Sequence, residues 1–163
     1  MKRIITLCLM ILLFTGLNVN AQSRKEKKDK AYQQLVEKVD GGRFYLEASR
    51  INLNAGVRSV QAEGYFLEIK GDSAKAYLPF FGRAYRSQIG GDGAIEFDHP
   101  FTKLNIKKSP DKHRIVMTMR VTTDVDIYDL TLFLFSNNAS LTISSNNRST
   151  ISYDMNFVEP KKK

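Results

Sequence analysis

The residues best suited to chemistry gather in one stretch, from Tyr77 to Asp98. Tyr77, Phe80, Phe81 and Tyr85 supply four aromatic rings, and Arg83 and Arg86 two guanidinium groups, within ten residues. Rings give rigid contact area and arginine gives a forked set of donors for anions, so this mixture suits recognition of a ligand. Asp92 stands in the glycine-rich continuation Gly90-Gly91-Asp92-Gly93. That run is not a phosphate loop, because it lacks the Gly-Lys-Ser/Thr ending and no helical pattern follows. It reads as a loop that needs positive backbone angles. The stretch points to binding through Tyr77, Phe80, Phe81, Arg83, Tyr85, Arg86 and Asp92. A plainer reading of the same residues is a strand leaving its sheet at Pro79, with the rings plugging one end of the core.

Other reactive groupings are sparse. Asp124, Asp126 and Asp129 form one acidic set, and Asp92, Glu96 and Asp98 another. Calcium takes roughly six to eight oxygen ligands, and neither set follows the Asp-x-Asp-x-Asp-Gly pattern of a calcium loop. Asp124 and Asp126 are expected to cap a turn and face water. The two histidines are His99, expected in a turn before Pro100, and His113, expected at the start of a strand. They make no His-x-x-x-His or Glu-x-x-His pairing, and no Gly-x-Ser-x-Gly elbow occurs. The one cysteine, Cys8, lies in the apolar leader. The expectation is a protein with no metal, no cofactor, no disulfide and no catalytic residue. The competing reading is an envelope hydrolase that uses carboxylates such as Asp92 and Glu96, a pairing that folding and not spacing would have to create.

Period-two patterns must supply the elements that position these residues. Phe44, Leu46 and Ala48 alternate with Tyr45, Glu47 and Ser49, and Tyr65, Leu67 and Ile69 with Phe66, Glu68 and Lys70. After the Gly71-Asp72 turn signal come Ala74, Ala76 and Leu78, which makes a hairpin. Leu104 and Ile106 oppose Lys103, Asn105 and Lys107, and Ile115, Met117, Met119 and Val121 oppose Arg114, Thr118 and Arg120. Clean alternation means one wet and one buried face, which is antiparallel behaviour. Ile127 to Phe135 is apolar on both sides, which suggests a central strand covered twice, the second time by the N-terminal helix. Ser136-Asn137-Asn138 and Ser145-Asn146-Asn147 supply turns, because asparagine tolerates left-handed backbone. The last third is then a meander of Ile127–Phe135, Ala139–Ser144 and Arg148–Phe157. Before the strands, Tyr32, Leu35, Val36 and Val39 make a narrow apolar stripe on a charged helix over Ser23 to Asp40, stopped by Gly41-Gly42. The fold class is all-β with one N-terminal helix, an antiparallel β-sandwich or partly open β-barrel of about nine strands.

Met1 to Ala21 reads as a cleavable export signal. Lys2 and Arg3 precede the apolar run Ile4 to Leu17, and Val19-Asn20-Ala21 offers small residues at the cleavage site. The apolar run is shorter than the ~20 residues of a bilayer crossing, so no transmembrane span is expected after its removal. The domain map is 1–21 signal peptide, 22–40 basic N-terminal helix, 41–160 single β-domain and 161–163 basic tail. The formal net charge of +8 sits mostly at the ends, and residues 41–160 carry 14 basic and 13 acidic residues. A near-neutral body argues against nucleic acid as a partner. The expected partner is a small molecule or envelope component, for a monomer or weak oligomer in the periplasm or secreted. A structural or assembly role, with Lys161–Lys163 touching anionic envelope material, is a further alternative.

The segment Ser73 to Tyr85, with Tyr-Leu-Pro-Phe-Phe-Gly-Arg-Ala-Tyr at its end, is followed by Gly91-Asp92-Gly93-Ala94-Ile95-Glu96-Phe97 and, near the end, by Ser144 to Tyr153. Together they resemble exported Gram-negative proteins grouped as domain of unknown function family 4251, over roughly Phe44 to Glu159. The resemblance implies a signal-bearing, single-domain envelope protein and carries no catalytic residue with it.

Overall fold

Residues of the period-two runs divide between an apolar inside and a wet outside. The computed structural model describes residues 18–53, 56–59, 64–83 and 93–159. Among these described residues stand one α-helix, α1 (Asn18–Asp40), and the strands β1 (Arg43–Leu53), β2 (Gly56–Ser59), β3 (Phe66–Lys70), β4 (Ser73–Leu78), β5 (Ile95–Ser109), β6 (Arg114–Thr122), β7 (Ile127–Leu134), β8 (Asn138–Ser145) and β9 (Ile151–Val158). Every strand pair is antiparallel. From β3 to β9 each strand lies beside its sequence neighbour. The seam is β1, whose Tyr45 pairs with Glu68 of β3 on one side and Val158 of β9 on the other. Eight strands thus close into an up-and-down barrel, and the short β2 folds back on the far end of β1, from Arg50↔Ser59 to Leu53↔Gly56. Of the two closures open to the sequence, the barrel forms. Closure joins β1 to β9, so neither of these end strands presents a free edge.

An eight-stranded barrel encloses a space that side chains just fill. Leu46, Leu67, Leu78, Ile115, Leu132, Leu141 and Tyr153 are all fully shielded from solvent inside it, and alanines at 48, 74, 76 and 139 make room for Phe44, Phe97 and Tyr128. The strands β3 and β4 are joined by the expected Gly71 turn, where φ is +63°. Both asparagine turns also form, between β7 and β8 and between β8 and β9.

Helix α1 lies across one end of the barrel, where the β5–β6 and β7–β8 turns and the end of β9 gather. Tyr32, Leu35 and Val39 are buried in the same core as the strands, with Val36 packed beside them. Lys38 sits 4.7 Å from the Phe157 ring centroid, Lys108 Nζ is 2.7 Å from Asp40, and His113 Nε2 is 2.8 Å from Asp29. Gly42, at φ +63°, donates to Val39 O at 3.0 Å and closes the helix. The helix begins at Asn18 and not at Ser23, because no glycine or proline separates the two. Among the described residues no helix is long and apolar enough to cross a membrane.

Four sequence expectations are corrected. Leu104 and Ile106 are 47% and 37% exposed, not core residues. Only residues 95–100 of β5 pair with β4, so from Phe101 to Ser109 this strand has β6 alone beside it, while β6 stays in the wall through its pairing with β7. Lys103, at φ +53°, sits where the β5 register shifts. Strand β7 is not covered twice, because the helix covers the end of the barrel; Ile127 is 36% exposed. His99 lies within β5, paired with Ala74, because Pro100 occupies a strand position facing Ser73 and not a turn. His113 closes the short 3-10 turn Pro110–Lys112 in left-handed backbone, one residue before β6 begins.

Candidate functional site

Among the described residues, three connections meet at the end of the barrel opposite α1: the exit from β4, the β6–β7 turn and the β8–β9 turn. Leu78 is the last inward residue of β4, and Pro79 has no N–H to continue the ladder, so the strand stops there. The Pro79 carbonyl accepts a 2.9 Å hydrogen bond from the buried Tyr153 hydroxyl of β9. Phe80 turns back against the core. Gly82 follows where a side chain could not, since an added Cβ would lie 2.6 Å from the Phe80 ring. The Arg83 N–H donates to Ser149 Oγ at 3.1 Å, and the Ser149 N–H donates to Arg83 O at 2.9 Å. Asn147 Nδ2 donates to Val125 O at 3.0 Å and fastens the β8–β9 turn to the β6–β7 turn.

Arg148 stands at the centre of this mouth. Its side chain is buried, with the residue 9% exposed, and Nη1 donates to the carbonyls of Gly93 at 2.7 Å and Ala94 at 3.1 Å. Gly93 has φ +80°, a conformation suited to glycine, and this presents its carbonyl to the guanidinium. The guanidinium carbon lies 5.2 Å from the Phe80 ring centroid, within cation–π range. Among the described residues no hydrogen bond is made by the remaining nitrogens of Arg148. Below it, burial raises the ionisation of Tyr128 and Tyr153 above the ordinary phenol range, and the positive charge of Arg148 partly opposes both shifts. Tyr128 also feels Asp126, and its ring packs 5.3 Å from that of Phe97.

Asp126 is 7% exposed, which corrects the expectation that it faces water; Asp124 does face water. Oδ1 of Asp126 accepts the Ile127 N–H at 2.8 Å, the capping role its sequence position suggests, while Oδ2 is buried without a hydrogen-bond partner. The turn is locked by Thr123 Oγ1, which donates to Asp126 O and accepts the Asp126 N–H, both at 3.0 Å. The mouth therefore presents a buried guanidinium, a buried carboxylate oxygen and a collar of rings. The guanidinium and the rings suit anion recognition with an aromatic contact, and the Asp126 carboxylate works against it.

The residues singled out in the sequence separate. Phe80 lies in the collar, and Arg83 joins it through its backbone while its side chain is exposed. Phe81 is 55% exposed at the rim. Tyr77 points outward from the wall and stacks on Tyr65 at 5.5 Å. Glu96 and Asp98 also face outward, Asp98 holding Lys75 at 2.8 Å. Tyr85, Arg86 and Asp92 lie outside the described residues. Arg148, Tyr128 and Tyr153 were not anticipated as site residues. The available signal was a basic residue following Asn146-Asn147 in a turn otherwise made of small polar residues. Among the described residues no three His, Cys, Asp or Glu side chains gather as a metal site.

Among curated proteins no relative matches the chain. A solved crystal structure of a DUF4251 family protein from Bacteroides eggerthii DSM 20697 superposes with a TM-score of 0.61 at 17% identity, covering 82% of this chain and 91% of that one. At that identity the likeness concerns the fold. The family model described as Domain of unknown function (DUF4251) matches residues 26–155, so α1 from its first charged turn and nearly the whole barrel fall within it. The chain belongs to the DUF4251 family.

Proposed function

We propose that this protein is an exported, non-enzymatic barrel that binds a small anionic molecule at the mouth opposite α1, in the periplasm or outside the cell. The observation that carries the reading is Arg148, a guanidinium kept under the rim with the Phe80 ring beside it and, among the described residues, one of its nitrogens in hydrogen bonds. A buried charge is costly unless its donors are used, and a carboxylate or phosphate would use those that remain. The filled barrel interior directs a ligand to the rim and not to the centre. Export rests on the leader pattern Met1 to Ala21.

The test is a titration of isotopically labelled protein with benzoate and with inorganic phosphate, followed by amide and arginine side-chain NMR. Signals from Gly93, Ala94, Arg148 and Ser149 should shift with one or both anions, and Arg148→Met should abolish the response while the remaining spectrum stays dispersed. Unmoved mouth signals at tens of millimolar of both anions would overturn the reading. Intact mass of protein recovered from the producing cells should correspond to a chain starting at Gln22.

A further inference from the structure

A second site stands on the outer wall, where β8, β9 and β1 run side by side. Ser49 is the extra residue of a β-bulge: Ala48 pairs with Met155, Arg50 pairs with Asp154, and Ser49 has no partner of its own. Bulges bend a strand and re-aim its side chains. Here Ser49 Oγ donates to Asp154 O at 3.0 Å, and the wall beside it is hollowed into an open groove of about 380 Å³. Its floor is the backbone of Ala139 and Met155, whose side chains belong to the core.

The groove carries both kinds of hydrogen-bonding group in fixed planar form. Asn52 Nδ2 donates to Asp154 Oδ1 at 3.2 Å and so orients the carboxylate, and among the described residues no hydrogen bond reaches Oδ2. Arg50 lies opposite Asp154 in register, and among the described residues no ion pair joins them. Asn138 and Asn156 face one another across the β8–β9 ladder and add two amides, each a donor and an acceptor. The ring of Phe135, 37% exposed, closes one end.

We propose that this groove binds a neutral saccharide. One cation and one anion leave the lining without net charge, so neither an anion nor a cation gains on entering. An apolar molecule would strip water from the carboxylate, guanidinium and amides and return no hydrogen bonds. A sugar ring supplies hydroxyls that donate and accept in turn, and its C–H face matches the exposed side of Phe135. The site is independent of the mouth, from which it is separated along the barrel wall.

The test is NMR titration of the full chain with cellotriose, maltotriose and the N-acetylglucosamine trimer. At least one should shift amides clustered at Ser49, Arg50, Ser140, Asp154 and Asn156. Asp154→Ala should weaken that binding about tenfold, and Arg148→Met should leave it unchanged. Asn138→Ala, at the exposed first position of β8, should weaken it as well and serves as the second variant if Asp154→Ala melts at a lower temperature. The proposal falls if no groove amide moves at tens of millimolar of any of the three. It falls equally if the shifts centre on the mouth, or if Asn138→Ala binds as the unaltered chain does.

Discussion

Removing one oxygen from each of two buried tyrosines should have opposite consequences. In Tyr153 the hydroxyl donates to the Pro79 carbonyl at 2.9 Å, and the residue is fully shielded from solvent. Tyr153→Phe leaves that carbonyl buried and unpaired, at a cost of about 2 kcal/mol. For a domain of this size that corresponds to a fall in melting temperature of about 4–8 °C. In Tyr32 the residue is 5% exposed and the hydroxyl is buried with no hydrogen-bond partner, while the ring packs edge-on to His113 with centroids 6.0 Å apart. Tyr32→Phe keeps the ring and discards a desolvated polar atom, so stability should be unchanged or higher. Both variants keep the same carbon skeleton, so cavity formation does not enter the comparison. Urea unfolding followed by circular dichroism reads the difference as a shift in midpoint at constant slope. A loss in Tyr32→Phe equal to that in Tyr153→Phe would refute the reasoning, since partner satisfaction would then not decide the outcome. So would a Tyr153→Phe midpoint within experimental error of the unaltered protein.

Tyr128 and Tyr153 have ionisations raised by burial, so the folded state holds their protons more tightly than the unfolded state. Their contribution to stability is complete below a pH of about 10, the unfolded phenol value, and is lost as pH rises beyond it; phenolate absorbance of these two should appear only together with loss of structure. Asp129 is held below its ordinary value mainly by hydrogen bonds from Arg120, with Nε to Oδ1 and Nη2 to Oδ2 both at 2.7 Å. Its contribution is therefore present above the unfolded carboxyl value and fades as pH falls through the folded one, and in Arg120→Gln an NMR titration should find the Asp129 transition moved up. Leu132→Ala, at a position with no exposure, should cost about 2–5 kcal/mol, whereas Leu104→Thr should change stability by no more than about 0.5 kcal/mol. Equal losses at the two positions would mean that β5 beyond Phe101 packs into the core as the other strands do.

What could be read from the residues alone divides along a physical line. Local rules fix which face of a strand is apolar, so Phe44, Leu46, Ala48, Ile115, Met117 and Met119 are identifiable as inward residues from the sequence alone, and all are buried. Turn chemistry is local too, and Gly71 and the two asparagine turns stand where the pattern puts them. Closure is not local: whether β9 reaches β1 depends on accumulated strand tilt and stagger, which no residue type announces. Leu104 and Ile106 mislead for the same reason, since their alternation is genuine but the neighbouring strand has already ended. Arg148 shows the limit for function. Its sequence neighbours are Asn147 and Ser149, and its meaning comes from Phe80, Gly93 and Ala94, which lie more than fifty positions earlier in the chain. The aromatic stretch that draws attention in the sequence sends Tyr77 to the outer wall, because it stands between the inward Ala76 and Leu78 of β4, and brings Phe80 to the mouth, because the strand has ended and the chain turns back against the core. A site at the end of an up-and-down barrel is assembled from alternate turns, so its residues recur once per hairpin along the chain. A compact motif is therefore the wrong signal to seek, and lone charged residues in the turns of one end are the right one.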